Sequence, residues 1–401
     1  MSTLGKRLLP LQVATFLQGF ALWVPVEKLF MTEIGFDAAS VGLMAAAYAA
    51  LVPVVEIPSG VLADRWSRRG VLMIAGIALA VSTVGGGLSD GVPAYIAAAM
   101  ALGVYFAMFS GTLDAVVYDT VLEETGDSAS FERRIGQVRL IESIALVTSA
   151  LAGGWIASLA GTRSTYFLSI PFVIASVLAL TRFREPTLHR GSERTDLRRH
   201  FALTYRAILH RGRLLPLVAA SIATTVILQS VFEFGPLWLI DLASPAVLYG
   251  PFWAVLVATL GLGGLLAGRI DLGRRTTIAG VVAVMIGTGL VLTTAVPFLG
   301  VTAAFVTLAL LVVVAGIHLT RVMHDAVDST VRAGVASGVG AVSWLAFVPF
   351  ALAMGSTSKA DGVHTAGWLL TGVIVLAGLA LAWGSLRKIS AEPERVLLES
   401  R

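Results

Sequence analysis

Long apolar stretches, separated by brief polar interruptions, run almost the whole length of this chain. They show no two-residue alternation. They predict α-helices near 8–33, 38–59, 70–88, 93–119, 134–158, 164–182, 213–240, 247–267, 276–296, 298–320, 333–356 and 365–386. Each is close to the roughly twenty residues that cross a bilayer core, whereas barrel strands would alternate. Pro25, Pro53, Pro58, Pro236 and Pro349 fall inside the runs. Kinked helices are expected there, with neighbouring helices satisfying the freed carbonyls.

Composition identifies the solvent. The 401 residues are 56% hydrophobic and 13% charged, where a soluble domain carries about a quarter charged residues. Mean hydropathy is +0.84. Most of the surface therefore needs lipid. The pI near 9.6 invites a nucleic-acid reading, but the Arg residues stand in short clusters between apolar runs. That distribution reports membrane orientation, so no nucleic-acid partner is expected. With a cytoplasmic N-terminus, only Lys28, Arg163 and Lys359 of the 29 basic residues fall on the outer side. The inverted topology would put nearly all the others outside. Both termini are thus expected in the cytosol, with the chain multi-pass in the inner (plasma) membrane. Lys6 and Arg7 ahead of Leu8 imitate a signal peptide. Trp23, Pro25, Glu27 and Lys28 make a poor cleavage region, which favours an uncleaved first span. Cysteine is absent, excluding disulfides and thiolate metal sites.

The longest polar segment divides the runs six and six. The expected organisation is a six-helix bundle over 1–183, an Arg-rich cytoplasmic linker over 184–212, and a second six-helix bundle with a short tail over 213–401. Part of the linker reads as amphipathic helix on anionic headgroups. The halves repeat one another. "GVLADR" at Gly60–Arg65 returns as "GLLAGR" at Gly264–Arg269, each followed by an Arg pair, Arg68–Arg69 and Arg274–Arg275. Gln18 precedes Pro25 by the spacing at which Gln229 precedes Pro236, and "LDAVVYD" (Leu113–Asp119) parallels "LTRVMHD" (Leu319–Asp325). A duplicated bundle places its site between the halves.

Gly60, Leu62, Ala63, Asp64, Arg65, Arg68 and Arg69 resemble the loop between the second and third spans of major facilitator superfamily transporters. That pattern reads Gly-x-Leu-Ala-Asp-Arg-x-Gly-Arg-Arg, and Ser67 replaces its Gly. With six-plus-six spans, the resemblance covers essentially the whole chain. It implies an all-α membrane fold of about twelve helices in two pseudo-symmetric bundles. It also implies that Asp64 docks on the N-terminal end of the eleventh span in the outward-open state, where a carboxylate meets a positive helix end. Gly268 takes the place of Asp64 in the second copy, so the lock is one-sided. A plain positive-inside anchor is the competing role. The chain is similar in general look to the twelve-span drug/proton antiporters. However, Ala107 stands where they often carry Arg four residues before Gly111, and Ser149, Ala150 and Gly153–Gly154 stand for their Gly-Pro-x-x-Gly-Gly. Ala150, Gly154 and Ser158 still allow close helix approach.

Ionisable groups inside spans cost about 2.5–3.5 kcal/mol each on insertion scales and so need a reason. Glu27 and Lys28 lie about 28 Å along the first span and Glu233 about 30 Å along the seventh. The two acids are expected to face each other across the cavity mouth. Side chains of adjacent helical residues diverge by about 100°, so Lys28 is not expected to neutralise Glu27 directly; snorkelling to the headgroups is the rival role. Asp114 and Arg139 share a depth on a hairpin and are expected to pair. Glu142 is on the Arg139 face. It reads either as the third member of a structural triad or as a proton carrier, since desolvation and Arg139 pull oppositely. Gln18, Trp23, Tyr105, Gln229, Phe232, Trp238 and Trp344 suit an amphipathic cavity, with an interfacial belt the alternative for Trp238 and Trp368. Glu56, Asp119, Arg133 and Arg134 are read with the Gly60–Arg69 loop as a cytoplasmic gate, and Asp325 and Arg332 as its repeat equivalents. His318 is read as structural. His318, His324, Asp325 and Asp328 come nearest to a polar constellation but lack metal spacing.

No Gly-x-x-x-x-Gly-Lys-[Ser/Thr] loop occurs, so ATP is not the fuel of this chain. These readings converge on a monomeric, alternating-access secondary transporter without a cofactor. It is expected to export amphipathic small molecules against protons, drawing on an ion gradient worth about 2.3 kcal/mol per charge per 100 mV. Uptake of a polar nutrient by symport or facilitation is the alternative, and a membrane-embedded enzyme or receptor a remote one. The other partners expected are membrane lipids.

Overall fold

The computed structural model describes residues 3–126, 130–186, 214–326 and 332–386. These are almost entirely helical, and no strand occurs among them. The expected linker falls outside them from residue 187 onward.

The first span consists of Thr3–Gly19, a 3₁₀ turn at Val24–Val26 and a short helix at Glu27–Glu33. The second to sixth are Ala38–Arg65, Arg68–Leu88, Val92–Thr125, Phe131–Ala160 and Thr162–Thr181. The seventh to twelfth are Leu215–Asp241, Ala246–Ala267, Arg275–Leu292, Phe298–Asp325, Arg332–Asp361 and Val363–Leu386. All twelve are long and apolar enough to cross a membrane, and together they form two pseudo-symmetric bundles of six. Consecutive spans reverse direction, so the turns collect at two ends. One is the basic end, bearing Arg65, Arg68, Arg69, Arg133, Arg134, Arg274 and Arg275. The other is called here the far end.

The first span corrects one expectation. A single kinked helix was expected over 8–33, but the helix stops at Gly19 and restarts at Glu27. Pro25 has no N–H to continue the ladder, the Ala21 carbonyl accepts from Val24 N–H at 3.1 Å instead, and the rest of the break finds partners on other spans. Leu22 N–H donates to Ser169 Oγ at 3.0 Å, while Gly153 of the fifth span sits so close to the Leu22 carbonyl that any Cβ would overlap it. Pro236, its repeat counterpart, lies inside an uninterrupted seventh span. The fourth span also outlasts its apolar run, with Thr120 and Val121 still buried and only its last turn exposed at the basic end. It ends at Gly126, whose φ of 77° is the left-handed stop a glycine takes at no steric cost.

The halves meet along the second and eleventh spans and along the fifth and eighth. Both seams are made by glycine. A Cβ on Gly42 would lie 2.5 Å from the Ala351 carbonyl oxygen and 3.0 Å from Gly355 Cα. One on Gly154 would lie 2.7 Å from Gly250 N, and one on Gly250 would lie 2.6 Å from the Ala150 carbonyl oxygen. Here the small residues expected at 150 and 154 do bring two backbones into contact. Both seams lie toward the far end, where the halves are closed on each other.

Asp37 reinforces this closure. It caps the second span by accepting from Ser40 N–H at 2.8 Å and pairs across the halves with Lys359 at 2.7 Å. Lys359 and then Ser40 hold its carboxyl well below the usual carboxylate range.

A depressed folded-state pKa contributes stability that is complete above the unfolded value, near 3.9, and fades as pH falls below it. Lys359→Met should therefore lower the melting temperature by a small constant amount at neutral and mildly acidic pH, equivalent to about 1 kcal/mol or less. Differential scanning fluorimetry should show the gap to wild type narrowing below about pH 4. Gly154→Leu should wedge its seam apart at a cost of about 1–3 kcal/mol. A Gln229→Cys reporter in the cavity should then be alkylated faster from the far side; an unchanged rate would show that the seam tolerates the side chain.

Candidate functional site

A cavity of about 490 Å³ lies between the halves. Its aromatic lining includes Trp23, Tyr48, Tyr105, Phe106, Phe232, Trp253 and Trp344. Gln18 and Gln229, at matching places in the repeat, both border it, as do Glu27, Glu142 and Glu233. No Lys, Arg or His is among the described residues that line it. Trp238, expected in this lining, is instead fully buried in the second half, where its Nε1–H donates to the Leu292 carbonyl at 3.0 Å. Its size and wholly apolar helical surroundings draw it into that core. Trp368 stays exposed, as a belt residue would.

At the far-end wall of the cavity sits the most constrained charge in the described structure. Lys28 is only 2% exposed, and its Nζ donates to Glu27 Oε2 at 2.8 Å and to Glu233 Oε1 at 2.5 Å. The expected opposition of the two acids is thus realised with a cation between them. The expectation that Lys28 would leave Glu27 unneutralised is corrected. The 100° rule fixes Cβ directions, and here a 3₁₀ turn precedes the pair while the four-carbon lysine stem folds back. Snorkelling is ruled out by the burial.

Three tyrosines complete the network, and sequence reasoning missed all of them. Tyr48 donates to Glu233 Oε2 at 3.0 Å. Tyr95 donates to Glu27 Oε1 at 2.8 Å and bonds the Tyr166 hydroxyl at 2.6 Å. Tyr166 stacks on Trp23, with ring centroids 5.2 Å apart. The available signal was a phenol inside an apolar run, which must find a partner when buried. Trp253 was missed too; no local pattern distinguishes it.

Nearer the basic end, Asp114 and Arg139 pair as expected, and Glu142 joins them on the Arg139 guanidinium. Arg139 bonds Asp114 at 2.8 Å and Glu142 at 3.2 Å. Glu142 borders the cavity, whereas the other two do not.

The expected gate is only partly assembled in this far-end-closed arrangement. Arg68 holds Asp119 and, at 3.4 Å, Asp64. Asp64 stays 71% exposed at its side chain and makes no described contact with the eleventh span. Arg69 donates to the Phe183 carbonyl at 3.2 Å, and the Ser67 hydroxyl and Arg68 N–H both donate to Glu185. Arg134 bonds Gln137 at 3.0 Å. Glu56, expected with them, is half-buried and joins none of these pairs, because it sits on the second span short of the Arg cluster. Arg65 and Arg133 are exposed, and Gly60 faces open space. Asp325 is exposed at the end of the tenth span, and the side chain of Arg332 lies outside the described residues.

Residues 8–351 match the family model described as Major Facilitator Superfamily. The chain belongs to the Major Facilitator Superfamily. It resembles Multidrug resistance protein 1 of Bacillus subtilis (strain 168), with 24% identity over 192 residues. That match covers 47% of this chain and 48% of the relative, so it spans about half the relative's length. The fold is similar to that of the nucleoside transporter NupG, at TM-score 0.74 and 16% identity over 95% of this chain and 98% of that one. It is likewise similar to a bacterial homologue of the human lysosomal transporter Spinster in an inward-facing, unoccupied conformation. That comparison gives TM-score 0.73 and 16% identity over 96% and 97% of the two chains. A D-xylose–proton symporter follows at 0.69 and 13% over 94% and 97%. At such identities the likeness is one of fold. Family and neighbours point to a multi-pass membrane transporter rather than an enzyme.

Removing one member of a buried ion cluster strands the others, typically at about 3–5 kcal/mol. Lys28→Met should therefore destabilise the detergent-solubilised protein by that order. Adding Glu27→Gln and Glu233→Gln should restore much of the loss, as read by thermal unfolding. A Lys28→Met protein as stable as wild type would remove the cluster from any structural role.

Proposed function

We propose that this chain is a proton-coupled exporter of amphipathic small molecules that carry positive charge. It would work as a monomer in the plasma membrane, with its basic end and both termini in the cytosol. The lobes over 1–183 and 213–401, joined by the linker over 184–212, rock about the central cavity. The observation that carries the reading is the charge of the lining. It holds three carboxylates and, among the described residues, no basic group on an otherwise largely apolar wall rich in aromatic side chains, with a lysine immediately behind two of those acids.

Such a wall attracts cations with flat apolar bodies, through charge and through ring faces, and repels carboxylates and phosphates. A substrate cation and a proton compete for the same acids, as antiport requires. Lys28 is the resident competitor. While it holds Glu27 and Glu233 the far end stays shut, and either ligand weakens that hold. Glu142, fastened to Arg139, offers a third acid nearer the basic end. The distant likeness to a multidrug resistance protein supports this reading.

The deciding experiment uses proteoliposomes with the basic end outward and the lumen acidified. Tetraphenylphosphonium should accumulate in the lumen and alkalinise it, while an anionic dye of similar size should not move. Glu142→Gln and Glu27→Gln should abolish the uphill component with expression intact. Accumulation of a neutral sugar or nucleoside in the proton's own direction would replace export by uptake.

A further inference from the structure

The two acids on Lys28 differ in where their donors come from. Glu27 accepts from Lys28, its neighbour in the chain, and from Tyr95 of the fourth span, which is itself tied to Tyr166 of the sixth. All belong to the first half. Glu233 belongs to the second half, yet accepts from Lys28 and from Tyr48 of the second span. Both of its donors lie across the interface. When the halves part at the far end, Glu27 keeps its donors and Glu233 loses both.

A ligand shifts a conformational equilibrium only by its differential affinity for the two states. A proton on Glu27 meets much the same surroundings in either state, but a proton on Glu233 does not. We infer that Glu233 is the acid whose proton occupancy sets far-end opening, and that Glu27, braced by Tyr95 and Tyr166, is the fixed anchor of Lys28. In the closed state Glu233 accepts twice from the opposite lobe, and a proton on it removes the charge that holds Lys28 across the interface. Protonation releases the latch. This rests on the proton-coupled reading above and names which residue does the coupling.

The charged and titratable groups facing Glu233 are Lys28, Glu27 and Tyr48. The eighth, tenth, eleventh and twelfth spans also pack on the seventh, and among the described residues they present Glu233 itself with none. Three other ion pairs lie at the far end among the described residues, of which Arg163–Asp90, at 2.8 Å, falls within the first half and stays together on opening. Asp241 and His364 both lie in the second half, 3.5 Å apart, and stay together on opening. Asp37–Lys359 crosses the halves, but Lys359 holds Asp37 ionised until strong acid.

The test exploits a chain without cysteine. Leu88→Cys and Leu299→Cys place spin labels on exposed far-end positions of opposite halves. Electron–electron distances are then measured in nanodiscs from about pH 8 to about pH 5. The wild-type background should gain a longer distance as pH falls. Tyr48→Phe, which deletes a donor from across the interface, should raise the open-to-closed ratio about tenfold or more at the higher pH. Tyr95→Phe, which deletes a donor within one lobe, should leave that ratio within about twofold. Glu233→Gln should give distances that no longer follow pH. Equal opening by both tyrosine variants would overturn the inference, as would a wild-type pH response persisting in Glu233→Gln. The tyrosine pair decides alone if Glu233→Gln does not fold. Should a pH step drive accumulation while wild-type distances ignore pH, the inference falls and the exporter reading stands. Should distances follow Glu233 while no pH step drives transport, the exporter reading falls alone.

Discussion

A lysine ammonium shut away from water within a bundle of apolar helices is tolerable only when acceptors surround it. Lys28 meets that condition by drawing a carboxylate from each half of the molecule. The constraint reaches outward from there. It needs the break in the first span, which turns Glu27 and Lys28 toward the interface. It needs the seventh span to carry an acid at the same depth, and tyrosines to occupy the remaining carboxylate oxygens. An isolated ion at this depth would cost several kcal/mol, so the cluster and the far-end closure stand or fall together.

The closure also depends on the absence of side chains. Along the two seams, backbone meets backbone at Gly42–Gly355 and Gly154–Gly250. Lipid supplies no hydrophobic force between helices, so dispersion contact and polar links must hold them. Polar links between the halves, at Lys28–Glu233, Tyr48–Glu233 and Asp37–Lys359, occur beside these seams. An interface made of a few close contacts and a few ion pairs has two discrete arrangements, engaged or released. That is the mechanical requirement for rocking lobes.

The duplication is visible but unequal. Gln18 and Gln229 keep matching places beside the cavity, and Glu27 and Glu233 keep matching depths. Yet only one copy of the proline lies in a broken helix, where Ser169 accepts from Leu22 N–H and Gly153 leaves room for the Leu22 carbonyl. Only one copy of the loop carries an Asp directly before its first Arg, at 64; the other has Gly268 there, and its Asp271 pairs with Arg274 instead. In the closed arrangement Asp64 rests with Arg68, which also clasps Asp119. Symmetry sets the frame, and departures from it assign separate tasks to the two lobes.

The twelve spans, the all-helical class, the six-plus-six order and the superfamily were legible in the chain. Each follows from local composition read against the thickness and polarity of a bilayer, or from a motif repeated in register. The Asp114–Arg139–Glu142 triad was legible for the same reason: hairpin depth and helical spacing locate all three. Depth also matched Glu27 with Glu233. What depth does not contain is lateral direction. Whether Lys28 turns to lipid or inward, whether Trp238 lines the cavity or fills a core, and whether Glu56 reaches the Arg cluster all depend on which helix stands beside which. That neighbourhood exists only after the two bundles pack. The sequence by itself determined which groups are embedded and how deeply. The tertiary structure alone decided which of them meet, because a buried charge takes its partners from helices far away in the chain.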